Sequence, residues 1–266
     1  MSPPDLNGLL DHARHVLHAE GPPDRRALAT LLCHRPAANS VEEQQHGLAL
    51  LWDYVRGSLP DTLFDEVCRI GAWRLVLPSV LRIRQRHPNG VDLSQLDLSY
   101  LDLRRADLFW VRIAEADLSY ADLREANLSE ADLTGTQLTE TLLEGANLTR
   151  ANLSRALFHR ADLRRANLSG IYAYGTHLTQ ANLRHARMPW ARLVLAVLTQ
   201  ADLRDADLEY ATLTDAVLRG ADLRGTDLRG VDLDRVDLEG AVSDDTTQWP
   251  ERFRPDRCGV VYRTRR

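Results

Sequence analysis

Lysine is absent from this sequence, and all 33 of its basic residues are arginines. Alanine, leucine and aspartate are abundant at the same time, so we attribute the bias to coding composition rather than to chemistry. The formal net charge of −5 and a sequence pI near 6.0 exclude both a strongly basic and a strongly acidic protein. The chain is long enough for one or two domains.

Cysteine is also scarce. Cys33, Cys68 and Cys258 lie far apart and are odd in number, so they form neither a CxxC metal pattern nor a disulfide framework. Such usage is typical of a reducing compartment. The N-terminal residues lack the basic and apolar regions of a signal peptide, and no apolar run approaches the roughly 18 residues that span a membrane. We therefore expect a cytoplasmic protein.

Catalytic motifs are missing too, because the sequence has no GxSxG, no HExxH and no GxxxxGK[ST]. His12, His15 and His18 have the spacing of a helical metal pair, yet no acidic or cysteine partner follows at a matching spacing. We interpret them as a solvated helix face rather than as a zinc site. The sequence predicts no catalytic residue, no cofactor and no metal, and we expect a protein that is not an enzyme.

A five-residue repeat is the main feature that the sequence does have. From Val91 to Gly240 it divides into 30 consecutive blocks without insertion or deletion. The third position is leucine in 26 blocks, and the first position is alanine in 19. A period of five leaves no continuous apolar face on a helix, whereas first and third positions point to the same side of a strand. Each block is therefore predicted to be a short strand segment with two side chains inside.

Glycine and proline locate the corners between these segments. All eight glycines inside the repeat are at fifth positions, and the one proline, Pro189, is at a fourth position. A type II turn prefers proline at its second residue and glycine at its third. Four corners close a coil of 20 residues, and coils stack through parallel ladder bonds at about 4.8 Å. Thirty blocks predict about 7.5 coils, with the right-handed crossover that parallel connections adopt.

The block pattern A(D/N)Lxx resembles the pentapeptide-repeat family over 150 of the 266 residues. What the resemblance implies is a mainly β fold, a right-handed quadrilateral parallel β-helix, which is a solenoid. This agrees with the geometry expected from the repeat itself.

The residues outside the repeat differ in pattern. Residues 1–90 show helical apolar spacing and helix stop signals, which predict an α-helical N-terminal domain. This domain either covers the open end of the stack or binds and regulates on its own. Residues 91–245 are predicted to form the β-helix and residues 246–266 a C-terminal capping tail. In that tail we expect Trp249 and Phe253 to lie over the last coil.

One outward face is rich in charge. Because residue n lies beside residue n+20, this face combines an aspartate column with an arginine column two positions on, and their charges offset one another. The aspartates are Asp102, Asp122, Asp162, Asp202 and Asp222, and the arginines are Arg104, Arg124, Arg164, Arg184, Arg204 and Arg224. We interpret the face as neutral, and the alternative is an arginine comb for phosphate groups.

Coils five and six, residues 171–190 and 191–210, depart most from the repeat. Aromatic and aliphatic residues replace the polar exterior there, while inward positions stay apolar. The predicted partner-binding residues are Tyr172, Tyr174, Trp190, Val194, Leu195 and Val197. A contiguous exposed apolar patch is typical of an interface. The alternatives are that strand-forming residues drifted there or that the tail covers them.

Two functions compete on this basis. The first is a rigid interaction scaffold that presents these residues to a protein partner or to a second copy, so a homodimer stays open. The second comes from a distant similarity to the Qnr and MfpA type of quinolone-resistance proteins, which implies protection of DNA gyrase by mimicry of B-form DNA. Residues 91–245 carry 26 acidic residues and 17 arginines, the sign that mimicry requires. No direct binding of nucleic acid or membrane is expected.

Overall fold

The computed structural model describes residues 93–264, all of which belong to the second of two units, residues 89–266. The predicted α-helical domain of residues 1–90, with its histidines and two of the cysteines, lies outside the described residues. The same holds for Val91, Asp92, Arg265 and Arg266.

Parallel pairing between successive coils builds the fold. The second position of a block pairs with the residue 20 positions on, beginning with Asp97 and Asp117. Four such columns give a parallel β-helix with four sides, as the period of five predicts. The longer elements in the described range are strand β1, Val242–Ser243, the 3-10 helix Pro255–Arg257 and strand β2, Val261–Tyr262. No helix within residues 93–264 is long and apolar enough to cross a membrane.

The hydrogen bonds of one block explain its residue pattern. In block 121–125 the first amide donates across the corner to the preceding block, at 3.1 Å. The second, third and fifth amides donate to the previous or the next coil at 2.7–3.0 Å. The fourth amide, that of Arg124, donates instead to the side chain of Asp122 at 3.2 Å. Aspartate and asparagine recur at second positions because their short side chains satisfy the one amide that the ladder leaves free.

First and third positions form the interior. Leu123, Leu163 and Leu203 have no solvent exposure. Where threonine replaces alanine at a first position, its hydroxyl donates to a carbonyl 23 residues earlier. These bonds join Thr136 to Ile113, Thr141 to Leu118, Thr176 to Leu153 and Thr226 to Leu203, at 2.7–2.8 Å. Every buried hydroxyl of this group therefore has an acceptor, which removes the cost of placing it inside.

The corners have the geometry that glycine and proline predict. Every fifth position from Gln95 to Gly240, except Arg235, has a positive φ, as the third residue of a type II turn does. Non-glycine residues adopt φ values of 53–62° there, at a cost of about 1 kcal/mol each that the ladder offsets. At Gly230 a larger residue would also collide, because its Cβ would lie 2.3 Å from the Tyr210 ring.

The regular ladder changes just after Gly240. Six residues, 241–246, take the place of one block, and the extra length forms a loop around Asp244. The Asp244 carboxylate accepts hydrogen bonds from the amides of Gly225 and Thr246, at 3.2 and 3.0 Å. Asp227 consequently pairs with Gln248, 21 positions on rather than 20. One inserted residue is thus absorbed without ending the stack.

The C-terminal tail then adds to the ladder. Trp249 follows Gln248 at a third position, where a leucine stands in the repeat, and its ring stacks on Phe253 at 5.2 Å. Strand β2 pairs in parallel with β1, with Val261 opposite Val242. The tail therefore adds a further backbone rung beside β1, while the placement of Trp249 and Phe253 over the last coil stays a prediction.

Candidate interaction surface

The six predicted partner-binding residues lie on one side of the β-helix and around its two corners. Tyr172 and Tyr174 are at the second and fourth positions of one block, and Arg192 pairs with Tyr172 in the next coil. Val194 is the corresponding neighbour of Tyr174, because its carbonyl accepts the amide of Gly175 at 2.9 Å. The sequence register therefore places these side chains in adjoining rows.

Most of these side chains are exposed. The exposed fractions are 46% for Tyr172, 51% for Tyr174, 64% for Trp190 and 43% for Leu195, while Val194 and Val197 are half-buried. We call these six side chains the aromatic patch. Their role in binding stays a prediction.

Two contacts hold the patch in place. The Trp190 ring stacks on Tyr210 with centroids 4.6 Å apart and an interplanar angle of 20°. The Arg192 guanidinium lies 4.9 Å from the centroid of the Tyr172 ring, which is a cation–π geometry. Sequence reasoning missed Tyr210, although its position 20 residues after Trp190 is the signal that could have found it.

A shallow groove borders the patch. It has a volume of about 480 Å³, is open to solvent, and is lined by Arg150, Asn152, Ser154 and Tyr172 among others. Asn152 and Ser154 are the small polar counterparts of Tyr172 and Tyr174 in the preceding coil. The step in side-chain size between these coils creates the groove.

A second pair of exposed aromatics lies in the first two coils. Tyr100 and Tyr120 are 71% and 45% exposed, and their rings stack at 4.9 Å with an interplanar angle of 9°. They too are 20 residues apart, so the repeat register brings them together. The pair is smaller than the aromatic patch and has no neighbouring aliphatic corner residue.

Most of the charged face is internally paired; Arg184, which follows Asn182 rather than an aspartate, is an exception. The arginine at a fourth position contacts the aspartate two residues earlier, at 2.6 Å for Arg104 with Asp102 and for Arg124 with Asp122. Hydrogen bonds from Arg104, opposed by partial burial, lower the pKa of Asp102 to about 2. Hydrogen bonds from Arg124 lower the pKa of Asp122 in the same way. A phosphate comb would need these guanidiniums to leave their carboxylates.

This pairing predicts a pH dependence. The folded pKa of Asp122 is lowered, so its ion pair stabilises the fold above the unfolded pKa of about 3.9 and the gain is lost as pH falls below that value. We expect the urea midpoint of unfolding to fall between about pH 4 and pH 2, and the Arg124→Gln variant to show a smaller fall. Arg150→Gln, which changes an exposed arginine at a corner, is the control and should keep the wild-type profile.

No group of three or more metal-ligating side chains occurs within residues 93–264.

The comparisons with known proteins agree with the repeat. The family profile described as Pentapeptide repeats matches in eight copies, at residues 106–145, 141–180, 161–200 and 201–240. None of the curated proteins matches the chain.

Several solved structures resemble the chain. HetL, a pentapeptide repeat protein involved in heterocyst differentiation regulation from Nostoc sp. strain PCC 7120, is 28% identical over 68% of this chain and 88% of its own, with a TM-score of 0.33. A second pentapeptide repeat protein from Nostoc PCC 7120 is 33% identical over 40% and 84%, with a TM-score of 0.26. QnrB1, a plasmid-mediated fluoroquinolone resistance protein, is 16% identical over 65% and 91%, with a TM-score of 0.34. The family profile covers residues 106–240, and the chain belongs to the pentapeptide-repeat family.

Proposed function

We propose that the protein is a non-catalytic scaffold whose aromatic patch binds a protein partner. The observation that carries the proposal is the clustering of exposed Tyr172, Tyr174, Trp190 and Leu195 on one side and its corners, within two neighbouring coils. Tyrosine, tryptophan and arginine are the residue types that most often dominate binding energy at interfaces. The patch contains the first two, and Arg192 lies over its Tyr172 ring.

Rigidity adds to this argument. The backbone under each patch residue is fixed by ladder bonds, such as that between the amide of Leu195 and the carbonyl of Thr214 at 3.0 Å. The stack of Trp190 on Tyr210 and the contact of Arg192 with Tyr172 restrain the rings further. Binding at a preformed surface orders few side chains, and each ordered side chain costs about 0.5–1.5 kcal/mol.

The proposal is tested by the paired substitution Tyr174→Asp with Leu195→Asp. Both side chains are exposed, so we expect the fold to be unchanged, whereas two carboxylates in an apolar contact remove binding. The measurement is quantitative affinity capture with the wild-type and variant proteins as baits, followed by sedimentation of each recovered complex. A partner captured equally by both baits would contradict the proposal.

A matched control uses the other end of the β-helix. Tyr120→Asp with Leu142→Asp also changes one tyrosine and one leucine, which are 45% and 38% exposed. We expect this control to keep every partner that the wild type binds. Loss of the partner from both double variants would indicate a general effect of added charge.

Gyrase protection is the second candidate function. The observation in its favour is the excess of acidic residues over arginines in residues 91–245, 26 against 17. Mimicry of DNA requires negative charge along the whole rod, and the arginines between Glu144 and Asp202 interrupt it. A supercoiling assay of gyrase with a quinolone decides the matter: rescue by the purified protein would place this function first.

A further inference from the structure

The charges of the β-helix are sorted along its length. Between Glu144 and Asp202 there are eight arginines and a single acidic residue, Asp162. Residues 93–144 hold 11 acidic residues and four arginines, and residues 202–245 hold 13 acidic residues and five arginines. We call residues 145–201, with a formal charge of +7, the cationic belt; the segments before and after it carry −7 and −8.

The fold does not require this sorting. At second positions aspartate and asparagine make the same bonds: the amide of Thr134 donates to Asp132 and that of Thr149 to Asn147, both at 3.1 Å. The two threonine hydroxyls donate to the same oxygens, both at 2.6 Å. Within the belt, asparagine stands at positions 147, 152, 167 and 182. The loss of negative charge there is therefore a property of the surface.

Five arginines of the belt form no ion pair with any residue from 93 to 264. They are Arg150, Arg155, Arg184, Arg187 and Arg192. The other three contact carboxylates, at 3.8 Å for Arg160, 2.7 Å for Arg164 and 4.0 Å for Arg165. The belt thus contains both neutralised and free guanidinium groups, and their positions differ.

The exposed free arginines surround the aromatic patch. Arg192 lies over Tyr172, and Arg150 lines the groove beside the same ring. Arg187 shares the block of Trp190, three residues before it. Arg155 occupies the corner one coil before Gly175. A Cβ atom placed at Gly175 would have no atom within 4 Å, so the space beside this corner is open. Free cationic groups and exposed aromatic rings therefore lie on the same sides of the β-helix.

We infer that the partner of the aromatic patch is a protein that presents carboxylates around an apolar or aromatic anchor. The inference rests on the proposed function. Free guanidinium groups bind carboxylates in bidentate pairs, and complementary charge sets the specificity and rate of association. Val194, Leu195 and Val197 favour a polypeptide over a single-stranded nucleic acid, whose bases bind to aromatic and cationic surfaces.

A second copy of this chain does not fit the surface. A symmetric dimer places the same surface on both sides of the interface, so the free arginines of one copy would face those of the other. Like charges that are brought close together at a protein surface repel one another, because the effective dielectric constant there is lower than in water. An acidic partner turns the same charges into attraction.

The probe for this inference is a fluorescently labelled random copolymer of glutamate and tyrosine, measured by anisotropy. We expect the wild type to bind it more tightly than poly-glutamate, with an affinity that falls as salt is added. The variant Arg155→Gln with Arg187→Gln is expected to lower the affinity about tenfold. Neither arginine has an ion pair in residues 93–264, so the fold should not change.

The matched control is Arg105→Gln with Arg219→Gln. Both arginines are exposed and lie in the anionic segments, where they pair with Glu125 and Asp237. The change in net charge is the same as in the test variant, and binding should be unaffected. If both double variants lost the same amount of affinity for the copolymer, the loss would be explained by net charge alone, and the inference would be overturned. Absence of copolymer binding, or tighter binding of a thymidine oligonucleotide, would overturn it as well.

Failure of this inference is distinguishable from failure of the proposed function. A protein partner that is lost with Tyr174→Asp and Leu195→Asp, but kept with Arg155→Gln and Arg187→Gln, leaves the scaffold in place and rejects an acidic partner. If the wild type sediments as a dimer and the variant Tyr174→Asp with Leu195→Asp sediments as a monomer, the scaffold also stays in place and an acidic partner is rejected. A partner that both double variants lose, and the two controls keep, supports the inference.

Discussion

Replacing Leu163 by alanine is expected to lower the free energy of unfolding by about 2–5 kcal/mol. The side chain has no solvent exposure and lies between Leu143 and Leu183 in the neighbouring coils. The coils on both sides are fixed by ladder bonds, such as that from the amide of Leu163 to the carbonyl of Asn182 at 2.8 Å. The cavity therefore cannot collapse, and urea unfolding followed by far-UV circular dichroism measures its cost.

Leu93→Ala is the control for this experiment. Leu93 is also buried, but it belongs to the first block of the repeat, which supplies a neighbouring coil on one side only. We expect a smaller loss of stability there than at Leu163. Equal denaturation midpoints for the two variants would contradict a fold in which each coil is stabilised by the coils above and below it.

Proline at a second position is expected to cost about 3 kcal/mol, whereas proline two positions on should cost little. The amide of Gln137 donates to the carbonyl of Ala116 in the previous coil at 2.9 Å, and Gln137→Pro removes this bond. The amide of Thr139 makes no backbone bond within the described range. Thr139→Pro also places proline at the turn position that it prefers, which Pro189 already occupies.

Urea unfolding of the two proline variants tests the assignment of positions within one block. We expect Thr139→Pro to stay within about 1 kcal/mol of the wild type. If Thr139→Pro were as damaging as Gln137→Pro, the corner would not lie at the fourth and fifth positions. The comparison is sharp because both changes fall in the same five residues and differ only in which amide is removed.

The sequence predicts the ladder of this protein well because the repeat is a local rule applied without interruption. The inward leucines, the corner glycines and the spacing of 20 residues between paired positions all follow from the period of five. The same register predicts that Val194 lies beside Tyr174. It could equally have predicted the stack of Trp190 on Tyr210, since that pair is also 20 residues apart.

Other features depend on contacts that the repeat does not encode. The six residues of the loop around Asp244 shift the register by one, and only the observed bonds show that Gln248 resumes the ladder. The return of Val261 beside Val242 joins residues across an irregular segment. The α-helical domain of residues 1–90, the number of coils and the right-handed sense stay predictions.

The free arginines could not be identified from the columns of residues spaced 20 apart. When the charged residues are counted for each side of the β-helix, the side with Arg104 and Asp102 has the most of them, yet Arg104 and Asp102 neutralise one another. When the charged residues are counted along the axis of the β-helix instead, the cationic belt is distinguished from the acidic segments before and after it. Which arginines are free follows from contacts, since Arg164 reaches Asp162 at 2.7 Å and Arg155 makes no ion pair in residues 93–264.

The covered C-terminal end has a consequence for how the protein behaves in concentrated solution. A parallel ladder is a template, since the open amides and carbonyls of a last coil could recruit another chain and grow into a filament. Here β2 occupies part of that edge, and Pro250 and Pro255 cannot donate to a further rung. Fewer open backbone groups therefore remain at this edge of the described residues, and filament growth from it is disfavoured.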